Sequence, residues 1–196
     1  MQRYLIAFLS ITTLLVWTRA EDKAQVVHDC FVGANDLLDK SAPTFEQFAV
    51  KANPPSTPAK LDLESNPIAR TYRTVLRNGM RQGANFAGHY RVVVWGCGAS
   101  CAQFAVVNLA NGRVITANGI EGISGVHFSA NGFLPHTDSE YWGFRFMKDS
   151  RLLVLVGAVN EDESNEGAFY YVLGNEQLRL LHKTPASRST CKDEKE

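Results

Sequence analysis

From residue 84 to 184 apolar positions alternate or fall in short blocks, the period-two pattern of β-strands. HYRVVVW, His89 to Trp95, is rich in aromatic and β-branched residues and predicts a first strand. QFAVVNL, Gln103 to Leu109, predicts a second, and RVITA, Arg113 to Ala117, a third. Asn111-Gly112 between the last two is a strong hairpin signal. A second set follows: Phe144 to Phe146, Leu152 to Val159, Gly167 to Leu173 and Gln177 to His182. Turns are expected at Met147 to Ser150 and Gly174-Asn175, and the acidic loop Asn160 to Glu166 joins the middle pair. That loop lacks the residue order of a calcium-binding loop and reads as solvated. The two sets repeat a strand–turn–strand order like that of propeller blades, but the chain is too short for a closed propeller.

Helical periodicity is confined to the first part of the chain. Val26, Val27, Cys30, Phe31, Ala34, Leu37 and Leu38 predict a helix over Lys23 to Asp39. Phe45 to Asn66, with Pro54, Pro55 and Pro58, reads as a loop. Asn66-Pro67 then opens the clearest helix, with Asn as N-cap and Pro at the first helical position. Ile68, Tyr72, Val75, Leu76 and Met80 make its apolar stripe, and Gly83 ends it. Arg70, Arg73, Arg77 and Arg81 share another face, either a solvated one or a site for an acidic partner or phosphate group. The expected fold is α+β and β-rich: two antiparallel, blade-like meanders with N-terminal helices packed alongside.

The first twenty residues stand apart. A weakly basic start, an apolar run from Tyr4 to Trp17 and Thr18-Arg19-Ala20 before Glu21 make a secretory signal peptide. The expected organisation is a signal peptide over 1–20 and one exported domain over 21–196. Within that domain 21–83 is mainly helix and loop, 84–184 antiparallel β, and 185–196 a charged tail. The expected location is the periplasm or the medium, with no membrane span after cleavage. Basic and acidic residues balance at 20 each, so overall charge gives no reason to expect nucleic acid or an anionic membrane as partner. Asn118 to Tyr141 is glycine-rich and reads as a loop, with a short strand near Gly125 to Phe128. His127, His136, Asp138 and Glu140 lie in it without a zinc spacing, so neither metal nor cofactor is expected.

Four cysteines, Cys30, Cys97, Cys101 and Cys191, sharpen the picture. An even count in an exported chain argues for two disulfides. Three pairings are possible. Adjacency favours Cys97–Cys101, which leaves Cys30 with Cys191. The alternative is chemical: Cys97 and Cys101 as a redox pair, or a nucleophilic cysteine with His89 as base. Their spacing has one residue more than the usual redox motif, and they sit between strands rather than at a helix start.

NFAGHY (85–90), WGCGASC (95–101) and DSRLL (149–153) together resemble a family of small exported bacterial proteins. The likeness runs from about Ile68 to Leu181. It implies export and a shared fold and assigns no activity, so no catalytic residue follows from it. The sequence therefore predicts an exported, disulfide-stabilised binding or inhibitor-type protein. Its partner would be another exported protein or an envelope component. The alternative is a thiol-dependent enzyme or redox protein using Cys97 and Cys101 with His89. Alternation puts His89, Arg91, Val93 and Trp95 on one strand face. With the 96–101 turn, the binding candidates His89, Arg91, Trp95 and Ser100 are expected to form one exposed patch.

Overall fold

The computed structural model describes residues 41–98, 101–124 and 143–185. The expected helix over 23–39, the strand near 125–128, and Cys30, Ser100 and Cys191 lie outside these residues, as do His127, His136, Asp138 and Glu140. The described chain is strand-rich with few helices, and its sheet is antiparallel. Its strands are β1 (Tyr90–Gly98), β2 (Cys101–Asn108), β3 (Val114–Ile115), β4 (Ile123–Ser124), β5 (Phe144–Phe146), β6 (Leu152–Val159), β7 (Glu166–Gly174) and β8 (Gln177–Pro185).

Both expected meanders are present, and β4 fuses them into one sheet of order β1-β2-β4-β6-β7-β8. This two-residue strand falls just before the short strand expected near Gly125 to Phe128, at positions expected to be loop. Its Ile123 pairs with Ala102 on one side and Val159 on the other. Further along, β2 pairs with β3 and β6 with β5 instead. Asn160 secures the approach to β4: its side-chain carbonyl accepts from Glu121 N at 2.8 Å, and its amide donates to Gly119 O at 2.9 Å. The acidic loop is therefore tied down at its first residue.

The sheet curls back on itself, since a bridge joins Ala117 to Leu178 at the start of β8. One core fills the concave side, with contributions from both meanders. Phe104 of β2 meets Phe144 of β5 edge-on at 5.4 Å. The convex side carries two separate apolar clusters. Phe45 and neighbouring residues cover β6 and β7. Two helices cover β1 and β2.

Those helices are α1 (Pro67–Thr71) and α2 (Arg73–Arg81). Asn66 caps α1 as expected, its side chain accepting from Ile68 N at 3.0 Å. The single predicted helix is broken at Tyr72, whose φ of −105° and ψ of 25° leave the helical range. At the break the Tyr72 ring lies 4.6 Å from that of Trp95. Gly79, unfavourable in a helix, has a packing reason: a Cβ there would stand 2.6 Å from Val93 Cγ2. Its absence lets α2 sit close against β1.

Candidate functional site

Strand β1 has two special ends, and the sequence-predicted residues divide between them. At its start the NFAGHY segment forms a packed knot. Asn85 is buried, accepts from Val92 N at 2.8 Å and donates to Val92 O at 3.2 Å, taking the place of a neighbouring strand. Phe86 is fully buried and meets Phe146 edge-on. Gly88 has φ of +83°, and a Cβ there would press on Lys51 O at 2.9 Å. Ala87 N and Gly88 N donate to Ser150 O and Lys148 O at 3.1 and 2.7 Å. So NFAGHY and DSRLL meet. The Ser150 hydroxyl in turn donates to Phe45 O at 2.8 Å.

At the far end stands the clamped tip. Gly98 pairs with Cys101 after a bulge at Cys97, and Cys97 and Cys101 form a disulfide with Cα atoms 5.2 Å apart. Gly96, Cys97 and Gly98 are exposed, and Cys101 is half-buried. Both sulfurs rest on Gly122, each 3.5 Å from where a Cβ would stand, so the clamp touches the approach to β4.

The expected patch does not form as one surface. Trp95 is 8% exposed, not accessible, because α1 and α2 cover its strand face. Its indole N–H donates to Gln103 Oε1 at 3.0 Å. Arg91 on the same face is half-buried, its guanidinium donating to Gly83 O at 3.0 Å and to the Gln82 side chain. The alternation along β1 is as its pattern predicts, but what lies over the face is set by long-range packing. His89 sits at the opposite end of β1 from the disulfide, eight residues or about 26 Å along an extended strand. It stacks on Tyr90 at 4.4 Å. As placed, it serves as base to neither cysteine.

A second polar cluster lies beside His89, and sequence reasoning missed it. Asn175 and Glu176, both with positive φ, turn β7 into β8, one residue later than expected. The Glu176 carboxylate accepts from Asn108 at 2.7 Å and from Asn111 at 2.8 Å, and lies 3.5 Å from Arg113. The Asn111 and Asn108 amides, then Arg113 and His89, hold its carboxyl below the usual range. Burial, and then this carboxylate, push the Tyr90 phenol up. Glutamate in a left-handed turn was the only signal, visible once the turn register is known. Arg113 and Glu176 open onto a polar cleft of about 370 Å³ also lined by Ser65, Asn66, Thr116 and Gln177. Among the described residues no group of three or more His, Cys, Asp or Glu is placed to hold a metal ion. No helix among them is long and apolar enough to cross a membrane.

Comparison with protein-family profiles, curated proteins and solved structures found no match.

Proposed function

We propose that this is an exported binding or inhibitor-type protein that presents the disulfide-clamped β1–β2 tip to a partner in the cell envelope, within the exported family its motifs resemble. The carrying observation is the contrast along β1: Gly96, Cys97 and Gly98 are exposed directly after the buried Trp95. A crosslink spanning four residues adds little stability through loop entropy. Holding the tip in one shape lowers the entropy lost on binding, a better reason for its presence.

The test begins with capture from a periplasmic extract on the immobilised protein. The affinity of the identified partner is then compared for the native protein and Cys97→Ser/Cys101→Ser. The expected result is about tenfold weaker binding by a variant that still folds, corresponding to roughly 1.4 kcal/mol. Equal binding, or a variant that unfolds, overturns the preorganised tip. The thiol-redox reading draws on one fact, the exposure of Cys97. A reduction potential in the range of the known oxidoreductases, rather than below about −300 mV, would favour it.

A further inference from the structure

We infer that the arginine face of α1 and α2 is a docking surface for the phosphate-bearing headgroups of an anionic lipid membrane. The surface is separate from the β1–β2 tip and does not rest on its role. Between Pro67 and Arg81 the chain carries four arginines and no acidic residue. All four are exposed, and so are Thr71, Thr74 and Asn78 between them. Formal charge is balanced over the whole chain, so the stripe is a local concentration rather than a by-product of a basic protein.

Its charges are largely uncompensated. Arg70, at one end, pairs with Glu64. Arg73 donates to the Arg70 carbonyl at 3.3 Å and Arg81 to the Asn78 side chain at 3.1 Å, both neutral acceptors. Among the described residues no carboxylate lies within ion-pair distance of Arg73, Arg77 or Arg81. The backing is rigid: Leu76 is fully buried, Met80 nearly so, and Gly79 lies against Val93. Arg73, Arg77 and Arg81 span about 12 Å of the α2 axis, so three of the four arginines are carried on one helix packed on the sheet.

The chemistry of the face selects the partner. Protein interfaces draw affinity from a desolvated, largely apolar centre. This face shows only guanidinium, hydroxyl and amide groups, with Ile68, Tyr72 and Val75 turned towards the sheet. A surface of that kind fits a dense array of phosphates, which the planar guanidinium fork matches, and requires no insertion. An acidic protein segment is the competing occupant.

The experiment is co-sedimentation of the purified full-length protein with phosphatidylcholine vesicles, with and without phosphatidylglycerol, over a salt titration. Pure phosphatidylcholine registers any binding by the apolar N-terminal residues. The expected result is binding that rises with phosphatidylglycerol and falls with salt. Arg73→Gln/Arg77→Gln/Arg81→Gln should weaken it by about fivefold per arginine, roughly a hundredfold in all, with an unchanged melting temperature. Cys97→Ser/Cys101→Ser should bind vesicles as the native protein does, so failure of the tip reading would leave this one standing. Equal binding to both vesicle types, native-like binding by the triple variant, or retention by immobilised polyglutamate without vesicle binding overturns the proposal.

Discussion

The two ends of β1 both carry special residues, NFAGHY at one and GCGASC at the other, yet they do opposite things. At the Asn85–Tyr90 end each special residue is used up inside the fold. Asn85 completes a strand edge, Phe86 fills the core, and Gly88 makes room for the Lys51 carbonyl. At the Gly96–Cys101 end the glycines touch little: a Cβ at Gly96 or Gly98 would meet nothing within 4 Å. Unusual residues thus mark both a place where the chain is crowded and a place where it is offered to solvent. Only packing separates the two.

The sharpest test of that contrast is Phe86→Ala. Phe86 is fully buried in the concave core, so its loss should cost about 3–5 kcal/mol in chemical denaturation. A cost under about 1 kcal/mol would mean that the NFAGHY knot is peripheral. At the other end, Cys97→Ser/Cys101→Ser should cost no more than roughly 2 kcal/mol, the chain-entropy figure for so short a loop. A larger loss would mean that the contact with Gly122 makes the clamp part of the β4 junction and not only of the tip.

How far this was legible from the sequence follows the same division. Strand existence was readable because alternation is local: all four strands of the second meander and the three of the first overlap the segments their patterns mark, although the third is only Val114–Ile115. The Asn66 cap was readable for the same reason. The fusion of the meanders was not, since Ile123 and Ser124 become a strand only because β2 and β6 stand on either side of them. Trp95 shows the limit most clearly. Its face was correct, but its burial depends on Tyr72, twenty-three residues earlier, and no period reports that. The Glu176 cluster joins residues over sixty positions apart, and its one local sign, a glutamate at positive φ, is visible only once the turn register is known.

That cluster gives a pH test beside the crowded end. Glu176 has a folded pKa below its ordinary value of 4.5, so the folded state binds its proton less readily than the unfolded chain does. Its contribution is complete above the unfolded value and is lost as pH falls through the folded one. Glu176→Gln should therefore be less stable than the native protein at pH 7, by under about 1 kcal/mol given its partial exposure. The difference should shrink as pH drops below about 4.5. A gap that persists at the lowest pH would locate the effect in turn geometry, since residue 176 has positive φ, rather than in charge.

The smallest effect is the most discriminating. Gly96→Ala and Gly88→Ala make the same change at opposite ends of one segment. At Gly88 the positive φ and the 2.9 Å approach to Lys51 O both oppose a methyl group, and the substitution should destabilise. At Gly96 φ is not positive, the residue is exposed, and no atom stands within 4 Å of the new carbon. Glycine in a strand loses more chain entropy on folding than alanine, so Gly96→Ala should stabilise by about 0.5 kcal/mol. Without a Cβ, Gly96 also leaves the backbone open to close approach by a partner. Gly96→Ala should then weaken partner binding while raising the melting temperature slightly. A fall in both quantities would place the cost of the methyl in the fold itself, and unchanged or tighter binding would remove the tip from consideration as a binding surface.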